Sequence, residues 1–314
     1  MPEVTIVLTD NFPILSLTLI TEPMRVANRE LANRVWNWRL LSTNGGPVES
    51  SSGFELVTEP LDNQAQDIII LLSSYRPEAA LVKPMLSWLR KAARTGTMMG
   101  CVDTGAMIFA EAGLLSKTPA AVHFEALTGY REKYRNQLFV DRMYSVSRNR
   151  CSSAGGVSTF DMTLGLIEQY NGKNLSLRVA EILTYRPTEF DGPQQKLLAE
   201  TSLMRLDRNL GRAVDLMLAH MQYPLSVEAI VQKINTPHWT LARLFKRHLD
   251  MTPSQYYRHL RLTQAKNLLV NSGYRINEIA NLCGFENPES FARSYKQQFG
   301  ISASQDRKQS AMQG

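Results

Sequence analysis

INEIANLCGFENPESFARSYKQQFG, residues 276–300, contains a helix, a turn and a second helix in one uninterrupted run. Ile276, Ile279, Ala280 and Leu282 recur at helical spacing, so the stretch predicts a short helix over 276–282. Cys283-Gly284 ends it, because glycine enters the left-handed conformation that a tight turn demands. Asn287-Pro288 then opens a second helix over 289–299, with a capping side chain followed by a ring already set at the helical φ.

The same grammar occurs about fifty residues upstream in VEAIVQKINTPHWTLARLFKRHL, residues 227–249. Here a helix over 227–233 ends at Ile234-Asn235, and asparagine is the side chain that best replaces glycine in the left-handed region. Thr236 supplies a capping hydroxyl and Pro237 the first position of a helix over 237–249. Further helical periodicity covers 212–221 and 253–271, with no strand-like alternation between. The last third is therefore an all-α unit built on two helix-turn-helix motifs.

Short capped helices occur in any helical bundle, so the outer faces decide what these motifs do. Leu241, Leu244, Phe245 and Leu249 form the apolar stripe of one second helix, which leaves His238, Trp239, Thr240, Arg243, Lys246 and Arg247 outside. Phe291, Tyr295 and Phe299 form the other stripe, which leaves Asn287, Glu289, Ser290, Arg293 and Lys296 outside. Such a helix fits the major groove, where arginine donates two hydrogen bonds to guanine and smaller polar groups read neighbouring bases. The linking helix over 253–271, about 28 Å at about 1.5 Å per residue, suits two readers in successive grooves. Lys233, Arg258 and Lys266 are expected at phosphates or in solvent. Charge agrees: residues 1–210 hold 22 Lys and Arg against 22 Asp and Glu, while residues 211–314 hold 13 against 7. A double-stranded DNA partner follows.

The chain before this unit reads differently. Apolar runs at 4–8, 38–42, 68–72 and 97–101 alternate with helical stretches at 14–31, 78–94, 105–112 and 158–169, the pattern of a parallel sheet covered by helices. Asn44-Gly45-Gly46-Pro47 reads as a turn and Gly155-Gly156 as a tight passage. A helix over 175–183, a loop over 186–192 and a charged helix over 194–210 lead to the DNA-binding unit. The expected organisation is α/β: a parallel-sheet sandwich of flavodoxin-like class over 1–190, a helical connector over 191–210, and the double helix-turn-helix unit over 211–314. The start MPEVTIVL enters a strand pattern without a signal peptide, and no apolar run is long enough to span a bilayer, so a cytoplasmic protein without membrane contact is expected. Cys101, Cys151 and Cys283 form no CxxC pair, so neither a disulfide framework nor a metal site is suggested.

Residues 225–307 resemble the DNA-binding unit of AraC/XylS-type regulators. The matching residues are Leu241-Ala242-Arg243-Leu244-Phe245-Lys246, Met251-Thr252-Pro253-Ser254-Gln255-Tyr256, Glu278-Ile279-Ala280, Cys283-Gly284-Phe285, Ser290-Phe291-Ala292-Arg293-Ser294-Tyr295-Lys296 and Phe299-Gly300-Ile301-Ser302. The resemblance implies that 237–249 and 288–299 are the recognition helices, with Trp239, Arg243 and Arg293 foremost at the DNA. Ala303 and Asp306 stand where the family usually has Pro and Tyr, so the resemblance does not carry the last short helix.

The N-terminal part resembles the PfpI and glutamine-amidotransferase-like domain of one branch of these regulators. Its marks are Glu22-Pro23-Met24-Arg25-Val26-Ala27-Asn28-Arg29, Gly45-Gly46-Pro47, Asp103-Thr104-Gly105-Ala106, Ala112-Gly113-Leu114-Leu115, His123-Phe124-Glu125 and Ser153-Ala154-Gly155-Gly156. Enzymatic relatives carry a cysteine on a sharp strand-to-helix turn, where a base and the helix N-terminus favour its thiolate. Asp103 stands at that position here, and Cys101 falls two residues earlier in the strand. The pocket therefore reads as a sensor without catalytic residues or a cofactor. The resemblance implies a lining of Phe12, Glu22, Asp103, Thr104, His123 and Phe124. Negative charge beside aromatic faces suits a cationic amine or amino acid, and the resemblance to regulators of carnitine, glycine betaine and arginine metabolism agrees. It also implies a homodimer that works with RNA polymerase, as an activator by analogy. Two other readings stay open. One is a PfpI-type hydrolase or amidotransferase with a DNA-binding tail, using Cys101 or Cys151 as nucleophile; the other is a ligand-independent architectural binder whose first domain only dimerises.

Overall fold

Ile68–Ser73, IIILLS, is buried at every position, which a strand tolerates only where both faces of its sheet are covered. In the computed structural model it is the fifth strand in chain order, after Glu3–Leu8 (β1), Asn37–Ser42 (β2), Asn44–Glu49 (β3) and Glu55–Pro60 (β4). Ile68–Ser73 (β5) is followed by Met98–Asp103 (β6), the short pair Ala120–Ala121 (β7) and Phe139–Val140 (β8), then Tyr144–Val146 (β9) and Arg150–Ser153 (β10). Eight of them form one sheet in the order β3-β4-β2-β1-β5-β6-β10-β9. The pairings are parallel except for β3 with β4 and β10 with β9. The structure describes residues 2–313 apart from 65, 76, 117, 186–206 and 273, and side chains apart also from 270, 271 and 309–313. The chain divides into two units, Met1–Gln195 and Lys196–Gly314.

Alternation along the central strands divides the first unit into two cores. Val4, Ile6, Leu8, Ile68, Ile70 and Leu72 pack with Leu17, Ile20, Phe160, Leu164 and Val179 of Ile14–Glu30 (α1), Ser158–Asn171 (α5) and Lys173–Ile182 (α6). Val7, Ile69, Leu71, Met99 and Cys101 point the other way, toward Met85, Leu89, Met107, Phe109, Leu127 and Tyr130. Those belong to Lys83–Arg94 (α2), Gly105–Glu111 (α3) and Phe124–Lys133 (α4). The α/β layering expected from the strand and helix order is present.

Several local expectations are corrected. Asn44–Glu49 is a strand rather than a turn: Gly45 and Gly46 take positive φ within it, and a Cβ on Gly45 would stand 2.7 Å from the Pro60 nitrogen of the neighbouring strand. The helix over 78–94 is divided into a 3-10 turn, Pro77–Ala80, and α2, because Pro84 belongs in a first helical turn. The charged helix over 194–210 does not run through its last residues. Asp207 is extended, and its carboxylate accepts the Asn209 and Leu210 N–H groups at 2.8 and 3.2 Å, starting a new helix at Arg208. The rest of that helix, and the loop over 186–192, lie outside the described residues.

The second unit is helical: Arg208–Ala219 (α7), Val227–Ile234 (α8), His238–Leu249 (α9), Pro253–Asn271 (α10), Ile276–Leu282 (α11), Pro288–Phe299 (α12) and Ala303–Gln313 (α13). Leu210, Val214, Met217, Ile230, Leu241, Phe245 and Tyr257 form one core. Leu262, Ala265, Leu269, Ile279, Phe285, Phe291 and Tyr295 form another. The long helix α10 thus gives its first half to one motif and its second half to the other. Its start carries the reciprocal Thr252–Gln255 capping box. Asn235 is left-handed at φ 51°, as expected, but Thr236 does not cap α9; its hydroxyl turns back toward the Ile234 carbonyl. The terminal helix α13 forms despite the substituted Ala303 and Asp306, both of which are buried.

Gly284 sits at φ +72°, and a Cβ there would stand 2.5 Å from Pro224 Cγ and 2.6 Å from the Met221 carbonyl oxygen. Gly284→Ala is expected to destabilise the second unit by about 2–4 kcal/mol, combining a left-handed alanine with an overpacked contact. Gly300, at φ +77° with open space around it, gives the comparison: Gly300→Ala meets only the conformational cost, about 1–2 kcal/mol. Urea unfolding of both variants checks the ordering, and equal midpoints would contradict the close contact at Gly284.

Candidate DNA interface and effector site

Each helix-turn-helix presents its second helix by burying one stripe and leaving the rest in solvent. On α9, Leu241, Leu244 and Phe245 are buried, while His238, Trp239, Arg243, Lys246 and Arg247 are exposed and Thr240 is half-buried. Trp239 is 64% exposed, an unusual position for the largest apolar side chain. The Arg243 guanidinium stands 5.2 Å from its ring centroid, one helical turn away, so indole and arginine form a paired surface. Lys246 is turned toward Asp250, which caps the helix end in the left-handed conformation.

On α12, Phe291 and Tyr295 are buried, and Glu289, Arg293 and Lys296 are exposed, with Ser290 half-buried. Asn287 is exposed but engaged: its side-chain oxygen accepts the Glu289 and Ser290 N–H groups at 2.8 and 3.4 Å. Gln297 also lies exposed on this helix; nothing in its residue type had marked it. Lys266 is half-exposed, and its ammonium lies 3.3 Å from the Asp306 carboxylate and 4.9 Å from the Phe299 ring centroid.

In the first unit, the turn after β6 holds Asp103 at φ 57°, a conformation that costs a non-glycine residue about 1–2 kcal/mol. The surroundings impose it. Gly155, at φ 91°, approaches so closely that a Cβ on it would lie 3.0 Å from Asp103 Cβ. Ser73 is the register partner of Asp103 across β5 and β6, and the Thr104 hydroxyl donates to the Ser74 carbonyl. His123 and Phe124 stack at 4.6 Å between centroids at the start of α4, and His123 Nδ1 lies 3.6 Å from a Glu125 carboxylate oxygen. Burial pushes the Asp103 carboxyl up to about 6, with His123 and the Ser74 hydroxyl pulling it down and Glu125 pushing it up. The fold therefore brings Asp103, Thr104 and His123 together, with Phe124 stacked beside the histidine.

It does not bring in the other two expected residues. Glu22 is exposed on α1 and pairs with Arg25 at 2.8 Å. Phe12 is fully buried among Ile20, Met24 and Val48, with no face left for a ligand. Ser74, Glu125 and Gly155 take their place around Asp103; the sequence marked Glu125 within His123-Phe124-Glu125 and Gly155 within the Gly155-Gly156 pair, and gave no signal for Ser74. Cys101 and Cys151 are buried on β6 and β10. Burial raises both thiols, Cys151 to about 12 and Cys101 further, and outweighs the Arg150 charge that pulls each of them down, which is the setting of a buried thiol rather than an exposed thiolate.

A carboxyl that titrates higher in the folded state binds its extra proton there, so its contribution to stability is complete below about pH 4 and is lost as pH rises through about 6. Asp103→Asn, which keeps the neutral form's shape, should therefore gain on the wild type by up to about 3 kcal/mol between pH 4 and pH 7. Urea unfolding at the two pH values checks this. A difference independent of pH would mean that Asp103 is solvated.

Residues 230–309 match the family model described as "Helix-turn-helix domain". The chain is 34% identical over 304 residues to the HTH-type transcriptional regulator CdhR of Pseudomonas aeruginosa, covering 96% of this chain and 90% of that protein. Among solved structures, it resembles an AraC family transcriptional regulator from Pseudomonas putida, with TM-score 0.54 and 26% identity over 58% of this chain and all of the other. A ThiJ/PfpI family protein from Pseudomonas syringae, at 14% identity, shares the fold with TM-score 0.53 over 67% of this chain and 87% of its own. The chain belongs to the AraC family of helix-turn-helix transcriptional regulators, with a PfpI-like unit ahead of its DNA-binding unit.

Proposed function

We propose that this regulator activates transcription in response to a small organic cation held at Asp103, reading its operator through α9 and α12. The observation that carries the DNA half is the paired Trp239 and Arg243 surface, left in solvent on a helix whose opposite stripe is buried. His238, Thr240 and Lys246 flank it on α9; Asn287, Glu289, Ser290, Arg293 and Lys296 serve α12. Arginines read base edges, and the remaining polar groups set the approach to backbone and bases.

The first unit senses rather than catalyses. The turn that would carry a nucleophile carries Asp103, and the thiols of Cys101 and Cys151 are buried. Asp103 and Glu125 supply negative charge, His123 and Phe124 supply ring faces, and Thr104 steadies the turn. A quaternary ammonium or guanidinium group gains from both features, and its charge draws Asp103 fully into the ionised form. Effector affinity differs between arrangements of a homodimer, and that difference sets the engagement of paired half-sites and of RNA polymerase. The protein works in the cytoplasm, beside its DNA.

Arg243→Ala and Arg293→Ala should each weaken binding to a duplex selected by the wild-type protein from a random pool by about 1–3 kcal/mol, and relax base choice at the positions each reads. Anisotropy titrations and footprints measure both; unchanged affinity and base preference in the two variants would remove α9 and α12 from the interface. For the effector, a thermal-shift panel of carnitine, glycine betaine, dimethylglycine, choline, arginine and uncharged controls tests the class. A ligand at a hundred times its Kd adds about 2.7 kcal/mol of stability. The shift should be confined to compounds bearing a cation and should vanish in Asp103→Asn. A shift that survives in that variant would place the site elsewhere.

A further inference from the structure

Asp306 has the only buried carboxylate among the described residues of the DNA-binding unit, at 6% exposure. Its surroundings are the apolar core of the second motif, which includes Leu262, Leu269, Phe291 and Ala303. A carboxylate in such a place is expelled or neutralised unless it is paired and hydrogen-bonded. Asp306 is both. The Tyr295 hydroxyl donates to its Oδ2 at 2.7 Å, and Lys266 Nζ stands 3.3 Å from the same oxygen. The Lys266 ammonium also lies over Phe299, whose ring is 4.6 Å from that of Tyr295. One oxygen thus ties α13 to α12 through Tyr295 and to α10 through Lys266.

The tie bears on DNA reading because Tyr295 and Arg293 share a helix. Tyr295 lies on the buried stripe of α12, while Arg293 and Lys296 lie in solvent. Apolar packing alone tolerates small rolls of a helix about its axis. A directional O–H···O bond does not, since it weakens steeply with angle. At a side-chain radius of about 6 Å, a roll of about 10° already moves a reading group by about 1 Å, enough to spoil a bidentate contact. We propose that Asp306 is a positioning residue for DNA recognition: through Tyr295 it fixes the roll of α12 on α10, with Lys266 supplying the charge that lets a carboxylate reside in the core. The device belongs to this chain's departure from the usual family residue at 306. It rests on the reading that α12 contacts DNA.

The test uses the full-length protein and a duplex selected by the wild type from a random pool, with hydroxyl-radical footprints and anisotropy titrations. Arg293→Ala and Arg243→Ala first mark the segments read by α12 and α9. Asp306→Ala and Tyr295→Phe should each lower affinity ten- to fifty-fold and lose protection over the Arg293 segment, with the Arg243 segment retained. Asp306→Asn keeps an acceptor for Tyr295 and should keep the full footprint, with affinity within about threefold of wild type. The double variant Asp306→Ala with Tyr295→Phe removes the unpaired hydroxyl, so its thermal stability should recover relative to Asp306→Ala while the footprint stays partial. A footprint that recovers along with stability would show a merely structural role and overturn the proposal. So would a wild-type footprint in Tyr295→Phe, a variant that decides the matter even if Asp306→Ala fails to fold. An unchanged footprint in Arg293→Ala would instead overturn the assignment of α12 as a reader, and the proposal with it.

Discussion

Helix α10 must serve two cores with one continuous backbone, and the DNA-binding unit depends on how its middle is held. Arg261 does this. Its Nη1 donates to the Gly284 carbonyl at 2.9 Å, and its guanidinium lies 4.6 Å from the Phe285 ring centroid and 5.4 Å from that of Tyr257. Tyr257 in turn donates to the His220 carbonyl at 2.7 Å, at the end of α7. One side chain therefore bridges the turn of the second motif and the base of the first. Gly284 completes the contact from the other side, since its missing Cβ lets that turn close on Met221 and Pro224. Two helix-turn-helix units on a plain linker would each pay an ordering cost on meeting DNA; held in this way, they meet it already spaced.

The first unit solves a different problem. A parallel sheet ends in loops at the carboxyl ends of its strands, and a ligand site forms where those loops leave a crevice. Ser73, Asp103 and Ser153 are the last residues of β5, β6 and β10. Small hydroxyl groups fill the adjoining space: Ser153 bonds to Ser158 and Thr159, and Thr159 to Ser16 on α1, at 2.8–3.2 Å. This network anchors the start of α5, beside the Gly155 that abuts Asp103. The same helix carries Asp161, which accepts from the Tyr185 hydroxyl at 2.8 Å. The turn that holds Asp103 is thus packed against the element that also holds the end of the described first unit.

What was legible in the sequence follows from where information is local. The second motif was readable because Gly284, Asn287 and Pro288 each state a backbone conformation, and Phe291, Tyr295 and Phe299 keep a helical period. The core strands were readable because aliphatic and β-branched residues dominate 4–8 and 68–72, with Thr5 the one polar side chain. The outer strands β3 and β4 were not, since they lie at the sheet's edge with exposed, charged or glycine-rich sequence. Glu22 and Phe12 were misplaced for another reason. A resemblance indicates that a pocket exists, but a residue's distance from it depends on the turn of a helix. On α1 the residue that meets the Thr159 side of the site is Ser16, whereas Glu22 faces solvent with Arg25. The partner of Lys266 was not legible either, because nothing local to the lysine marks Asp306, forty residues on, as the buried acid beside it.

Asp103 and Asp306 show how one chemical group serves opposite ends. Asp306 has a phenol and an ammonium on the same oxygen, so its charge is answered within the fold and it can act only as a fixed joint. Asp103 has a serine hydroxyl, a histidine and a second carboxylate near it, and burial holds it toward its neutral form. Its charge is answered incompletely. Under the proposed function, such a carboxylate keeps interaction energy in reserve for a cation, and only an interaction that differs between the empty and filled states can shift an equilibrium. A fully paired aspartate at 103 would hold no such reserve. A poorly paired one at 306 would loosen the tie between α12 and α13. The sequence around each residue differs accordingly, with glycine and histidine converging on Asp103 and tyrosine and lysine on Asp306.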